Sequence, residues 1–175
     1  VYAANDSQIR YWENGKWHDF YEAAVNHLEV KAGLLVHGGN ELDLHLHHLQ
    51  QSAVALSMGV GVHQRPILRV GIHPHGAMVT SCDAEGRLVV WRVSGTGPLE
   101  QLRSFEGVRS FAWTLDHLLV DNACYSLADW TCRENHEQQL SPFSCSIQAS
   151  TECYASWQDP ELLLCRGSSV IERLT

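Results

Sequence analysis

The chain has 175 residues, 45% of them apolar and 18% charged, with a formal net charge of −8. That composition belongs to a globular domain with material for a core rather than to a disordered segment. The acidic balance, with Lys and Arg scattered singly, argues against a general phosphate-backbone binder. No apolar run nears the roughly 18–20 residues that span a bilayer.

In chain order, the opening "VYAANDSQIRYWENGKW" reads as two strands. It has neither the basic nor the apolar region of a signal peptide. It also lacks an initiator Met and starts inside a strand, so a piece of a longer chain is expected. Asn5-Asp6-Ser7 fits a glycosylation acceptor, a pattern common by chance. The stretch "HDFYEAAVNHLEV" (18–30) has some helical character and reads as a loop or a brief helix. "HLEVKAGLLVHGGNELDLHLHHL" follows as strand, turn, "LLV", a turn at His37-Gly38-Gly39-Asn40 and an alternating strand.

The pattern is clearest in "ILRVGIHPHGAMVTSCDAEGRLVVWRV", with strands expected at 67–72, 77–82 and 87–93 and turns at 73–76 and 83–86, where Pro and Gly punctuate the reversals. "GVRSFAWTLDHLLVDNACYSLADW" repeats the rhythm: a strand to Trp113, a second from "HLLV", and a run ending in Asp129-Trp130. Residues 131–145 are polar and irregular, and read as a long connection open to a partner. The last block gives strands at Tyr154 to Trp157, "ELLLC" and "SVIERL", with turns at Gln158-Asp159-Pro160 and Arg166-Gly167-Ser168.

The second strands of these blocks begin near residues 1, 34, 77, 118 and 161, so the gaps are about 33, 43, 41 and 43 residues. A period of about 40–45 with three or four short strands is the signature of propeller blades. It divides the chain into units of approximately 1–24, 25–60, 61–104, 105–150 and 151–175.

"GAMVTSCDAEGRLVVWRV" resembles the second and third strands of a WD40 repeat, with the Glu85-Gly86 turn and Trp91 where that family places its tryptophan. Asp129-Trp130 and Tyr11-Trp12 hold comparable places in their own units. There are departures. The family's Gly-His pair is echoed by Gly61 and His63, and its Trp-Asp ending is Trp91-Arg92 here. The repeats are therefore degenerate, and the hydrogen-bond network those residues normally make is not assured. "WRVSGTGPL" is faintly similar to the propellers of the DmX/rabconnectin proteins, a resemblance that implies a link to regulation of the vacuolar proton pump.

Constellations that could carry chemistry are few. In "ELDLHLHHLQ", His45 and His47 share a strand face, with Leu42, Leu44 and Leu46 on the other. His-x-His can present two imidazoles to one zinc ion, yet a half-buried strand with leucines to the core and histidines to water explains the alternation without a metal. Turn chemistry likewise suffices for His73-Pro74-His75, and for Asp83 and Glu85. No Gly-x-Ser-x-Gly and no phosphate loop occurs. Cys82, Cys124, Cys132, Cys145, Cys153 and Cys165 form no Cys-x-x-Cys pair and read as small core residues with free thiols in a reducing compartment, although their even number keeps disulfides open. Trp12, Trp91 and Trp130 recur in register, which suggests packing between blades, whereas Trp17, Trp113 and Trp157 fall at strand ends where an indole can be half exposed.

The expected fold is thus all-β, a WD40-like propeller over 1–175 with four to five blades represented, part of a larger propeller protein. The expected role is a non-catalytic scaffold for protein–protein interaction in a multisubunit assembly. It would be cytoplasmic, or peripheral on an organelle membrane through its partners, with no nucleic-acid partner and no transmembrane segment. No catalytic, cofactor-binding or metal-ligating residue is assigned and no cofactor is expected. A histidine-based metal protein or metalloenzyme is the alternative, and a secreted, disulfide-bonded propeller lectin the third reading.

Overall fold

The computed structural model describes residues 2–4, 8–22, 24–49, 55–95, 97–134, 153–158, 161–166 and 169–174. The described residues are all β: eighteen strands in five antiparallel sheets, each built from strands consecutive in the sequence, and none closing on itself. The first sheet holds β1 (Tyr2–Ala4), β2 (Gln8–Glu13) and β3 (Lys16–Glu22). The second holds β4 (Val25–Lys31), β5 (Leu34–Gly39), β6 (Leu44–His48) and β7 (Ala55–Gly59). The third holds β8 (Ile67–Ile72), β9 (Met78–Asp83), β10 (Leu88–Arg92) and β11 (Glu100–Phe105). The fourth holds β12 (Phe111–Trp113), β13 (His117–Val120), β14 (Ala123–Ser126) and β15 (Cys132–Glu134). The fifth holds β16 (Cys153–Gln158), β17 (Glu161–Arg166) and β18 (Ser169–Leu174). Two compact units divide the chain, residues 1–107 with the first three sheets and residues 108–175 with the last two.

Several expectations are corrected here. His37, Gly38 and Gly39, expected in a turn, are the end of β5, and the turn begins at Asn40. Residues 18–22 and 25–30 are strand rather than loop or helix, and the first sheet has three strands rather than two. Asn14 and Gly15, at φ +50° and +78°, form the tight turn that suits a two-residue hairpin and fold β3 back along β2. β4 then pairs with β5 across a turn at Ala32 and Gly33 with similar dihedrals. Ala and Glu favour helix by only a fraction of a kcal/mol per residue, and two flanking ladders outweigh that preference. Part of the connection expected over 131–145 is also strand, β15. Its remainder lies outside the described residues, as do Asn5-Asp6-Ser7, Asp159-Pro160 and Gly167-Ser168.

The core of the first unit lies between the second and third sheets. Leu34 and Val36 of β5 and Leu44 and Leu46 of β6 pack with Ile67, Val70 and Ile72 of β8, Val79 of β9, and Val89 and Trp91 of β10. Gly59 at the end of β7 gives Trp91 its seat: a Cβ there would come within 2.9–3.0 Å of the indole ring. Gly59→Ala is therefore expected to cost about 1–3 kcal/mol through overpacking, read as lost amide protection in β8–β10 under urea.

β4 and β8 are edge strands of their sheets and lie side by side, joined by side chains rather than by a ladder. Asn26 Nδ2 donates to the Ile67 carbonyl at 3.1 Å, His27 Nδ1 accepts from Val70 N–H at 3.2 Å, and Glu29 Oε2 accepts from Ile72 N–H at 3.0 Å. Burial raises the Glu29 carboxyl above its ordinary value against the opposing pull of the Ile72 bond and Lys31. Burial, then the Arg69 charge, lowers His27.

Candidate functional site

Two buried polar groupings and one exposed aromatic pair are the features of the first unit that bear on function. The first grouping is centred on His63, in the segment leading into β8. Its Nδ1 lies 3.0 Å from Asp83 Oδ2 and its Nε2 2.7 Å from Ser81 Oγ, which in turn accepts from Trp91 Nε1–H at 2.8 Å. A carboxylate only accepts, so Nδ1 carries the proton and donates it to Asp83; the Ser81 hydroxyl then donates to Nε2. The other Asp83 oxygen, Oδ1, accepts from the Glu85 and Arg87 N–H groups, both at 3.0 Å, and so also closes the β9–β10 turn. Burial alone would raise the Asp83 carboxyl; the hydrogen bonds from His63, Arg87 and Glu85 outweigh it and hold the group below its ordinary value.

Serine, histidine and aspartate in sequence of contact have the connectivity of a hydrolytic triad. Here they cannot serve as one. Ser81 is 0% exposed, and its oxygen is already engaged by the Trp91 N–H, so no substrate carbonyl can reach it. The grouping ties β9, β10 and the His63 segment together within the core.

The second grouping is the histidine face of β5 and β6, covered by the first sheet. His37, His45 and His47 are all buried, which overturns the half-solvated expectation: the leucine face packs on the third sheet and the histidine face packs under Phe20 and Tyr21 of β3. Leu42 is not on the strand; it sits in the preceding turn at φ +66°. His37 stacks on both His45 and His47 with centroids 4.8 and 5.2 Å apart, and its Nε2 lies 3.1 Å from His47 Nε2. Burial, followed by the charges of neighbouring imidazoles, pushes His37 down to about 3 and His47 to about 4. Burial lowers His45 too, against the opposing carboxylates of Glu41 and Asp43. Neither ring nitrogen of His45 has a hydrogen-bond partner, and Glu41 Oε2 stands 3.6 Å from Nε2. Among the described residues no three His, Cys, Asp or Glu side chains are arranged to hold a metal ion.

At the turn over 73–76, His73 is buried. Its carbonyl accepts from Gly76 N–H at 2.8 Å and its Nδ1 from His75 N–H at 3.2 Å. Cys82, Cys124 and Cys132 are free thiols, the first buried and the last exposed.

The tryptophans need correction. Of the three in register, only Trp91 is packed between sheets; Trp12 is 44% exposed, and Trp130 lies in the turn after β14 at φ +57°. Trp113, expected at a half-exposed strand end, is buried, whereas Trp17 is 49% exposed. Trp12 and Trp17 form an edge-to-face pair across the β2–β3 hairpin, centroids 5.3 Å apart. Beside them on the same face, Arg10 pairs with Asp19 at 2.9 Å.

Ser81 escaped sequence reasoning, although Thr80-Ser81 in the middle of an otherwise apolar strand was a signal that a buried polar partner existed. Phe20 and Tyr21 escaped because their strand was not expected. No helix among the described residues is long and apolar enough to cross a membrane. No family model matches the chain, and neither does any curated protein.

Proposed function

We propose that the chain forms blades of a WD40-like propeller that acts as a non-catalytic scaffold for other proteins. The observation that carries this reading is the His63–Ser81–Trp91 network anchored on Asp83. His63 and Trp91 occupy the positions where the resemblance to WD40 repeats puts its histidine and tryptophan, and they are joined through a third buried side chain despite the degenerate motif. Further support comes from the repeated meander of consecutive strands, the arrangement of a propeller blade. The second and third sheets each have four strands and stack through a shared apolar core.

A scaffold needs contact surface rather than a reactive centre. Half-exposed indoles are the side chains that anchor protein interfaces, and Trp12 with Trp17 is the aromatic pair the first sheet offers. The reading places the protein in the cytoplasm, free or held to an organelle through partners, and free thiols at Cys82, Cys124 and Cys132 accord with that.

Affinity purification of the protein from its native cells, with mass spectrometry of what co-purifies, tests the proposal. A stoichiometric set of partners is expected, and proton-pump subunits among them would tie it to the process that the DmX/rabconnectin resemblance implies. A solitary protein carrying stoichiometric zinc would replace this reading with the metal-binding one; fewer than six reactive thiols after denaturation would replace it with the secreted one. Replacing Trp12 and Trp17 together by Ala is expected to weaken the principal partner by about 2 kcal/mol, roughly 30-fold, with no loss of folded protein.

A further inference from the structure

The geometry points to an acid-sensitive joint between the first and second sheets: three uncharged imidazoles, His37, His45 and His47, sealed under Phe20 and Tyr21, keep the joint closed near neutral pH and part it when they take up protons. Both sheets lie within residues 1–107, so the inference stands apart from the propeller reading.

The contact between His37 and His47 is the central element. Two Nε2 atoms 3.1 Å apart make one hydrogen bond, with one nitrogen donating and the other accepting. Protonating the acceptor leaves two N–H groups and a positive charge facing one another, and the bond becomes a repulsion. His45, stacked on His37, makes no hydrogen bond through either nitrogen, and its protonation would add a further positive charge beside the pair. A buried charge without a partner is expensive, and the group responds by staying neutral or by gaining access to water.

The groups that face His37 and His47 do not supply a countercharge; only His45 has a carboxylate near it, Glu41 Oε2 at 3.6 Å from Nε2. β3 contributes Phe20 and the uncharged phenol of Tyr21. β6 adds only a further imidazole, His48, which acts against protonation of His47. The carboxylates of Glu41 and Asp43, in the turn before β6, act on His45; the leading charge effects on His37 and His47 come from other histidines. Water can compensate only if the first sheet moves away.

In the closed joint these groups bind protons less readily than the ordinary histidine value of 6.5, near 3 for His37 and near 4 for His47. In the opened joint they return to that ordinary value. The open form therefore binds more protons, and the stability of the closed joint is complete above about pH 6.5 and lost progressively as the pH falls towards 4 and then 3. His37 and His47 each multiply the opening constant by up to about ten per pH unit between about 6.5 and 4, the two together by up to about a hundred, and His45 adds in the same direction.

Amide hydrogen exchange of the intact chain between pH 7 and pH 4.5, corrected for intrinsic exchange rates, tests the joint. The expected result is a steep loss of protection in β2 and β3, with a pH dependence of about two protons, while β9 and β10 keep theirs. His45→Leu, which removes no hydrogen bond, is expected to lower that dependence without abolishing it. The inference is overturned if protection in β2 and β3 follows less than one proton in the unaltered chain, if β9 and β10 open together with them, or if the folded variant keeps the full dependence.

Discussion

Trp91→Ala is expected to destabilise the first unit by about 3–5 kcal/mol, the range for truncating a buried tryptophan. The indole is 2% exposed, rests on Gly59 and belongs to the cluster that joins the second and third sheets. Alanine would leave a cavity that neither sheet can fill, because both are held by their own ladders. It would also remove the N–H that Ser81 Oγ accepts at 2.8 Å. Trp91→Phe separates the two effects: most of the volume stays, so the loss should be near the 1–3 kcal/mol of an unsatisfied buried group. Because the chain holds two compact units, a single global midpoint need not describe it. Urea-dependent amide protection within β8–β10 is the appropriate measurement. Equal losses for the alanine and phenylalanine variants would mean that the hydrogen bond, and not the packing, carries the contribution.

Asp83→Ala is expected to be about as damaging, about 3–5 kcal/mol, because it leaves several donors of the core and its turn without an acceptor, each at about 1–3 kcal/mol when buried. Three donors lose their acceptor: His63 Nδ1–H and the N–H groups of Glu85 and Arg87. Asp83→Asn keeps an acceptor for the turn and should cost less. The pH dependence follows from the lowered carboxyl. Its folded value lies below the ordinary 3.8, so its contribution is fully present above that pH and is lost as the pH drops through the folded value. The gap in stability between the unaltered protein and Asp83→Ala should accordingly hold constant down to about pH 4 and narrow only in stronger acid. A gap that closes between pH 7 and pH 5 would show that histidine, and not Asp83, governs it.

Much of the local structure could be read in advance. The strand expected at 67–72 is Ile67–Ile72, and those expected at 77–82 and 87–93 are Met78–Asp83 and Leu88–Arg92. Turn residues and apolar runs specify such elements locally. What each face meets is not a local property. The alternation that set His45 and His47 opposite Leu44 and Leu46 was legible, but the second cover came from β3, twenty-odd residues upstream in a stretch whose Ala and Glu suggested helix. Trp12 and Trp91 illustrate the same limit. They hold comparable places in their hairpins, yet Trp91 points at the second sheet whereas no sheet of the first unit covers Trp12. The serine of the His63 network was visible only as an oddity, a hydroxyl in a central strand, until the geometry gave it two partners.

The side chains of Asn26, His27 and Glu29 along the inner edge of β8 have a consequence for the protein's life in a crowded cell. Bare strand edges recruit further strands, and an apolar, buried run such as Leu88–Trp91 of β10 is the kind that assembles into fibrils when its sheet is extended. On β8 the outward carbonyl of Ile67 and N–H groups of Val70 and Ile72 are already occupied, and by groups that cannot propagate a ladder. An incoming peptide would have to displace three separate side-chain bonds before gaining its first backbone bond. The third sheet is thereby protected from templating its own aggregation on that side, by residues that belong to its neighbour.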